Sequence, residues 1–241
     1  MIMELVQVSL ILADISGYTS FVRMHRISLL HAEQIITELL EAVINQIEEP
    51  LTLNKLEGDA AFLYTRVGDD PGLAKLVLDK MLVFFTAFKA RQQELIKAGE
   101  GGCFCEACCN IDQLRLKVIA HYGQAVIKQV RHLEELAGSD VILAHRLLKN
   151  KVPSNEYLLL TEKFYQWSGG LPGPDPQVYQ DVYEDIGTVQ GRVYYPHMPP
   201  LEIPETRRFT RPAGILEGLK LFPKVIWQRL FNPRAFHNLS L

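Results

Sequence analysis

The chain has 241 residues, 48% of them hydrophobic and 22% charged, with a net charge of −3 and a pI near 6.2. That composition fits a globular protein with one sizeable core and an appendage, and it excludes a nucleic-acid binder that works by bulk positive charge. No run approaches the roughly eighteen apolar residues of a spanning helix. The four cysteines crowd between Cys103 and Cys109 and are not dispersed as a disulfide framework would be.

The first apolar stretch has no basic residues ahead of it and is closed early by Asp14. It therefore predicts a strand over residues 6–13, not a signal peptide, and a protein of the reducing cytoplasm. Leu29, Ala32, Ile36, Leu39, Leu40, Val43 and Ile47 recur at helical spacing, so a long helix follows and gives way at Glu49-Pro50. Residues 51–56 and 59–64 read as two strands joined across Glu57-Gly58, with glycine supplying the unusual φ of a tight hairpin. Asp70-Pro71 is an N-cap and N1 pair for a second long helix through Leu73, Leu76, Met81, Phe84, Phe85 and Phe88, stopped at Gly99.

A Cys-rich insert (residues 100–112) comes next. Beyond it Leu114, Leu116, Val118 and Ala120 alternate with Arg115, Lys117 and His121, which predicts a strand with one wet face. His121-Tyr122-Gly123 is expected to turn that strand into a partner at 124–130. Ser139 or Asp140 caps a short helix to about residue 150, and Pro153 ends that region. A strand at 157–160, a short helix from Thr161, a Gly/Pro loop at 168–176 and a last strand pair around 183–195 complete the order. Strand, helix, hairpin, helix, strand is the sequence of a ferredoxin-like βαββαβ core in an α+β fold, its sheet covered on one face by two helices. Past Pro196 the composition turns Pro- and Arg-rich, which divides the chain into a domain over 1–198 and an extension over 199–241. Residues 206–241 carry a net +6, leaving −9 for the rest.

Two segments carry chemistry. Asp14-Ile15-Ser16-Gly17-Tyr18-Thr19 ends the first strand, and Lys55-Leu56-Glu57-Gly58-Asp59 spans the hairpin. Each places a carboxylate where a strand ends or turns, so both can meet at one sheet edge. Two hard oxygen ligands there can hold Mg²⁺ or Mn²⁺ against a polyphosphate. Taken singly, each motif is also what an ordinary capped turn looks like.

The order and spacing of the motifs add to this. Ala13 to Thr19, Lys55-x-x-Gly58-Asp59, the strand over 116–126 with His121-x-Gly123, Gly138-x-x-Val141-x-x-Ala144-x-Arg146-Leu147, and the late Asp185 to Gly191 segment resemble the successive signatures of class III nucleotidyl cyclase catalytic domains. The resemblance covers residues 5–196. It implies a cyclase-like fold in which two Mg²⁺ or Mn²⁺ ions activate a ribose 3′-hydroxyl for attack on the α-phosphorus of a nucleoside triphosphate, and pyrophosphate leaves.

By motif match Asp14, Ile15 and Asp59 take the metal positions, and Ser16, Gly17, Tyr18 and Thr19 cradle the triphosphate. Lys55 takes the base-reading position of adenylate cyclases, and Arg146 stabilises charge on the phosphates. Counting back gives Glu135 as the second base reader, with Glu134 equally close; either accepts from an exocyclic amine. In homodimeric members Lys55 and Arg146 act across the subunit interface, so the resemblance implies a homodimer. One departure stands out: Ile142 replaces the asparagine that orients the ribose. The alternative reading is a cyclase-like domain that binds nucleotide, or only dimerises, as a sensor.

The Cys-rich insert is foreign to that pattern. Cys103, Cys105 and Cys108 can cup a structural Zn²⁺ with a fourth ligand from Cys109 or His121. Free or redox-active thiols are the other reading. The extension mixes basic residues with Ile215, Leu216, Phe222, Val225, Ile226, Trp227, Leu230 and Phe231. It is suited to a membrane surface or a partner, or to packing on the domain itself.

Overall fold

The computed structural model describes residues 3–24, 29–98, 106–131, 133–173 and 175–196. The elements are β1 (Met3–Ser16), α1 (Tyr18–Met24), α2 (Leu29–Ile44), β2 (Thr52–Glu57), β3 (Ala60–Arg66), α3 (Leu73–Ala98), α4 (Glu106–Cys109), β4 (Arg115–Val130), β5 (Leu133–Ala137), α5 (Ser139–Arg146), β6 (Tyr157–Thr161), α6 (Glu162–Ser168), β7 (Gln177–Tyr183) and β8 (Gly187–Tyr194). One sheet runs β2-β3-β1-β4-β6-β8-β7, with β5 paired to β4. The run β2-β3-β1-β4 is antiparallel throughout and has the ferredoxin-like order; β6 then joins β4 in parallel.

β1 and β4 are the centre of the sheet, and both are apolar on both faces, as doubly covered strands must be. Ile11, Ala13, Ile15, Leu116, Val118 and Ala120 pack under α2, α3 and α6 in one core. Val8, Leu10, Leu12, Ile119, Ala125 and Ile127 pack with Val141, Ala144 and Leu147 of the α5 region in a second. The expectation of a sheet covered on one face alone is thus corrected, because α5 closes the other. The first core is anchored by Phe84, Phe85 and Phe88 of α3, each almost wholly buried. Truncating any one of them to Ala should cost about 3–5 kcal/mol.

The largest departure from the sequence reading is β4. His121-Tyr122-Gly123 is not a turn: β4 continues for 16 residues and pairs with β1 from Met3↔Lys128 to Ser16↔Arg115. Gly123 serves another purpose. A Cβ there would sit inside van der Waals contact with the Asp140 carboxylate, so glycine lets α5 approach the strand. The supposed wet face is largely covered as well, His121 being 1% exposed and Arg115 and Lys117 half-buried. The residues after β4 form β5, which the sequence reading passed over. Gly138, not Ser139 or Asp140, occupies the N-cap of α5. Thr161 does cap α6, its hydroxyl accepting from the Phe164 amide at 3.4 Å. The extension beyond 198 lies outside the described residues, and among those described no helix is long and apolar enough to cross a membrane.

Candidate functional site

Strand register sets the site. Asp14 lies opposite Lys117 on β4 and opposite Ala60 on β3, and Ala60 lies opposite Glu57 on β2. Residues directly opposite share a face, so Lys117, Asp14, Ala60 and Glu57 form one row across four strands. Asp14 Oδ2 is 2.7 Å from Lys117 Nζ, and that ammonium also donates to the Leu148 carbonyl at 3.1 Å. Asp59 occupies the two-residue turn after Gly58, whose φ of +66 suits glycine. The Asp59 carbonyl accepts the Ile15 amide at 3.2 Å, which docks the hairpin tip on the end of β1.

The two carboxylates feel each other. Burial first, and the Asp14 charge second, push the Asp59 carboxyl up from 3.8 to about 6, with Glu33 adding to the rise and Lys117 opposing it. Glu33 on α2 accepts from the Tyr18 hydroxyl at 2.9 Å; burial and that bond raise the Tyr18 pKa. The site therefore carries a surplus of negative charge that Lys117 only partly offsets. Such a surplus is what a divalent cation relieves, so the donor set fits Mg²⁺ or Mn²⁺. Ile15 has a buried side chain, and only its backbone carbonyl could serve a metal. Among the described residues no group of three or more His, Cys, Asp or Glu side chains is assembled as a metal cage. Magnesium does not require one, because it commonly keeps waters and binds through one or two carboxylates and substrate phosphates. In the turn, Ser16 is buried while Gly17 (φ +95) and Thr19 are exposed, and the Gly17 carbonyl accepts from Phe21 to open α1.

A second group sits at the β2 end of the same face. Lys55 Nζ lies 3.1 Å from Glu57 and 3.9 Å from Glu135. His145 Nδ1 is 3.2 Å from Glu57 Oε2, and burial lowers the His145 pKa. The neighbouring Glu134 is occupied by the Tyr64 hydroxyl, so of the two glutamates it is Glu135 that faces Lys55. Arg146 is exposed and pairs with Asp185 at 3.4 Å. With Val141, Ile142, His145 and Lys149 it lines a pocket of about 390 Å³. Ile142 is 57% exposed there. Among the described residues no hydrogen bond or ion pair joins the Lys55 group or Arg146 to the Asp14 group.

Of the thiols, Cys103 and Cys105 lie outside the described residues, while Cys108 is buried and Cys109 half-buried. His121 is spoken for: Nδ1 is 2.9 Å from the Thr161 hydroxyl and Nε2 is 3.0 Å from Asp140. Asp140 also accepts the Gln124 amide at 2.7 Å and lies 3.4 Å from Lys163. The hydrogen bond with His121, ahead of the other contacts, holds the Asp140 carboxyl well below the usual carboxylate range. With both ring nitrogens engaged in the second core, His121 is a structural residue and has no lone pair free for zinc. Two residues of the carboxylate site were missed from the sequence, Lys117 and Glu33. For Lys117 the signal was its place among residues alternating opposite the first strand; for Glu33 there was none short of knowing where α2 packs.

The fold is that of nucleotidyl cyclase domains. The adenylyl cyclase CyaB from P. aeruginosa superimposes with a TM-score of 0.57 at 12% identity, covering 84% of this chain and 100% of that one. The guanylyl cyclase Cya2 superimposes with a TM-score of 0.57 at 12% identity, covering 85% and 100%. In sequence, the uncharacterized protein Rv2561/Rv2562 of Mycobacterium tuberculosis is 39% identical over 127 residues, 53% of this chain. The match spans 57% of that relative's length. Residues 36–157, just over half of the chain, match the family described as "Protein of unknown function (DUF2652)", and the chain belongs to that family.

Proposed function

We propose that this protein is a nucleotidyl cyclase that closes a nucleoside triphosphate, ATP in preference, to its 3′,5′-cyclic nucleotide with release of pyrophosphate. The observation that carries the reading is the docking of Asp59 beside Asp14 near the end of β1, where burial first and the Asp14 charge second raise the Asp59 carboxyl to about 6. Two carboxylates kept together at such a cost suit a site whose working form holds divalent cations. Asp14 and Asp59, with the Ile15 carbonyl, would hold Mg²⁺ or Mn²⁺, which supply Lewis-acid activation of the 3′-oxygen and charge neutralisation at the phosphates. Lys117 pairs with Asp14 and would offset part of the charge there, beside the cation. The turn from Ser16 to Thr19 positions the phosphates, and Lys55 with Glu135 offers one donor and one acceptor at adjacent points, a match to the N1 and exocyclic amine of adenine. Arg146 offsets charge as the bond from the α-phosphorus to the leaving pyrophosphate breaks.

A homodimer fits this division of labour. Arg146, Ile142 and Lys149 stand on the outward side of the α5 region, with Lys55 and Glu135 on the β2 and β5 side, apart from Asp14. A partner subunit facing them would complete two sites. A second reading rests on Ile142, which cannot hydrogen-bond a ribose: the domain would bind nucleotide without turning it over. Incubating the purified protein with each of the four triphosphates and Mn²⁺, beside an Asp14→Asn and Asp59→Asn double variant, separates the two. Cyclic product and pyrophosphate from the wild type alone supports the enzyme; no product from any triphosphate overturns it.

A further inference from the structure

We propose that His145 is the residue that takes a ribose hydroxyl of the bound nucleotide, a contact that Ile142 cannot make. The inference rests on the nucleotide-binding part of the reading above and not on turnover. Ile142 and His145 stand three residues apart on α5, hence side by side on the helix surface, and both line the pocket of about 390 Å³ beside Arg146. The order of groups along this side matches the order of parts in a nucleotide. Lys55 and Glu135, read as the base-recognising pair, lie at one end; Glu57 stands 3.1 Å from Lys55 Nζ and 3.2 Å from His145 Nδ1. Arg146, read as meeting the phosphates, follows His145 directly in the chain. A sugar joins base to phosphate, and His145 is the side chain that stands between their two groups.

The ring is held in place. It packs against Phe62, itself 1% exposed, with centroids 4.7 Å apart and planes tilted by 57°, and Phe62 lies opposite Lys55 in the register of β2 and β3. An orienting residue needs such support, because a loosely held group fixes little. Burial lowers the His145 pKa against the pull of Glu57, which favours the neutral ring. In a neutral imidazole the nitrogen that faces a carboxylate carries the proton, so Nδ1 turns its hydrogen to Glu57 and Nε2 keeps its lone pair. Among the described residues no hydrogen bond or ion pair engages Nε2. The other pocket-lining side chains cannot take that role: Val141 and Ile142 are apolar, and Arg146 and Lys149 only donate. A ribose hydroxyl has a proton to give, and His145 is the acceptor the pocket offers it.

The test compares ATP with 2′-deoxyATP and 3′-deoxyATP, bound to the full chain with Mn²⁺ and measured by calorimetry in the cold. One hydrogen bond to the sugar should make ATP bind about threefold to tenfold tighter than one of the two analogues. His145→Ala should lower ATP to the level of that analogue and leave the analogue itself unmoved, while His145→Gln, which keeps an acceptor, should retain part of the preference. A wild-type preference that survives in His145→Ala overturns the proposal. So does an equal loss for ATP and both analogues, which is what a packing role alone would give. Should His145→Ala fail to fold, the wild-type chain labelled with ¹⁵N-histidine supplies the reading: the His145 Nε2 resonance should shift on adding ATP and not on adding 2′,3′-dideoxyATP, and an unmoved Nε2 overturns the proposal as well. A chain that binds none of these triphosphates removes the nucleotide reading and this inference together; one that binds ATP but fails the His145 comparisons removes this inference alone.

Discussion

Replacing Asp59 with Asn removes a charge that the fold holds at a cost. The rise from 3.8 to about 6 corresponds at face value to about 3 kcal/mol of disfavoured ionisation. The carboxylate is half-buried, so solvent screening reduces this to about 1–1.5 kcal/mol. The sign follows from linkage: the folded pKa lies above the unfolded one, so Asp59's favourable contribution is complete below 3.8 and is lost as pH rises through about 6. Asp59→Asn should therefore be more stable than wild type at pH 8 by about 1–1.5 kcal/mol. For a domain of this size that is a gain of about 3–5 °C in Tm. The gain should roughly halve near pH 5 and fade toward pH 4. The backbone bond from Ile15 to Asp59 is untouched by the change, so the turn should persist. Saturating Mn²⁺ should reverse the ranking, stabilising wild type by about 2.7 kcal/mol at a hundredfold excess over Kd and leaving the variant unmoved. Paired thermal melts across pH, with and without Mn²⁺, decide the matter. A variant no more stable at pH 8, or equally favoured at pH 4 and 8, would refute the account of Asp59 as an electrostatically strained ligand.

Ile142 is exposed on α5, so Ile142→Asn should change stability by no more than about 0.5 kcal/mol; if the missing ribose contact limits turnover, it should raise cyclic-nucleotide formation by about tenfold or more. Lys117→Met should tighten Mn²⁺ binding in the absence of nucleotide, since Asp14 loses its competing cation, while lowering turnover; calorimetry and initial rates read the two effects. Gly123→Ala forces a methyl into the Asp140 carboxylate and should destabilise by about 1–3 kcal/mol in chemical denaturation. Asp140→Ala removes the hydrogen-bond partner of the buried His121 Nε2 and of the Gln124 amide and should cost about 1–3 kcal/mol. Because the Asp140 carboxyl is held low in the fold, its contribution is present above the unfolded pKa and lost as pH falls, so the difference between this variant and wild type should shrink in acid.

The order of elements, the α+β class and the two carboxylate motifs were legible in the chain because each rests on local chemistry: period-two and period-3.6 apolar patterns, Asp70 and Thr161 at helix starts, Gly58 at a positive φ. What failed was wherever a distant segment set the meaning of a local signal. Gly123 reads as a turn by itself; only α5, bringing Asp140 down onto β4, makes it a point of close approach. Lys117 and His121 read as a wet face because the covering layer comes from residues 139–149, which no local pattern places there. The pairing of Glu135, not Glu134, with Lys55 depended on the register of β5, and the contact of His31 with Cys108 depended on α4 folding back over α2. The sequence alone set Asp14 near the end of the first strand and Asp59 beside the glycine of the hairpin. The tertiary structure decided that they interact, since the burial of Asp59 and its exposure to the Asp14 charge arise only when the hairpin tip docks against β1.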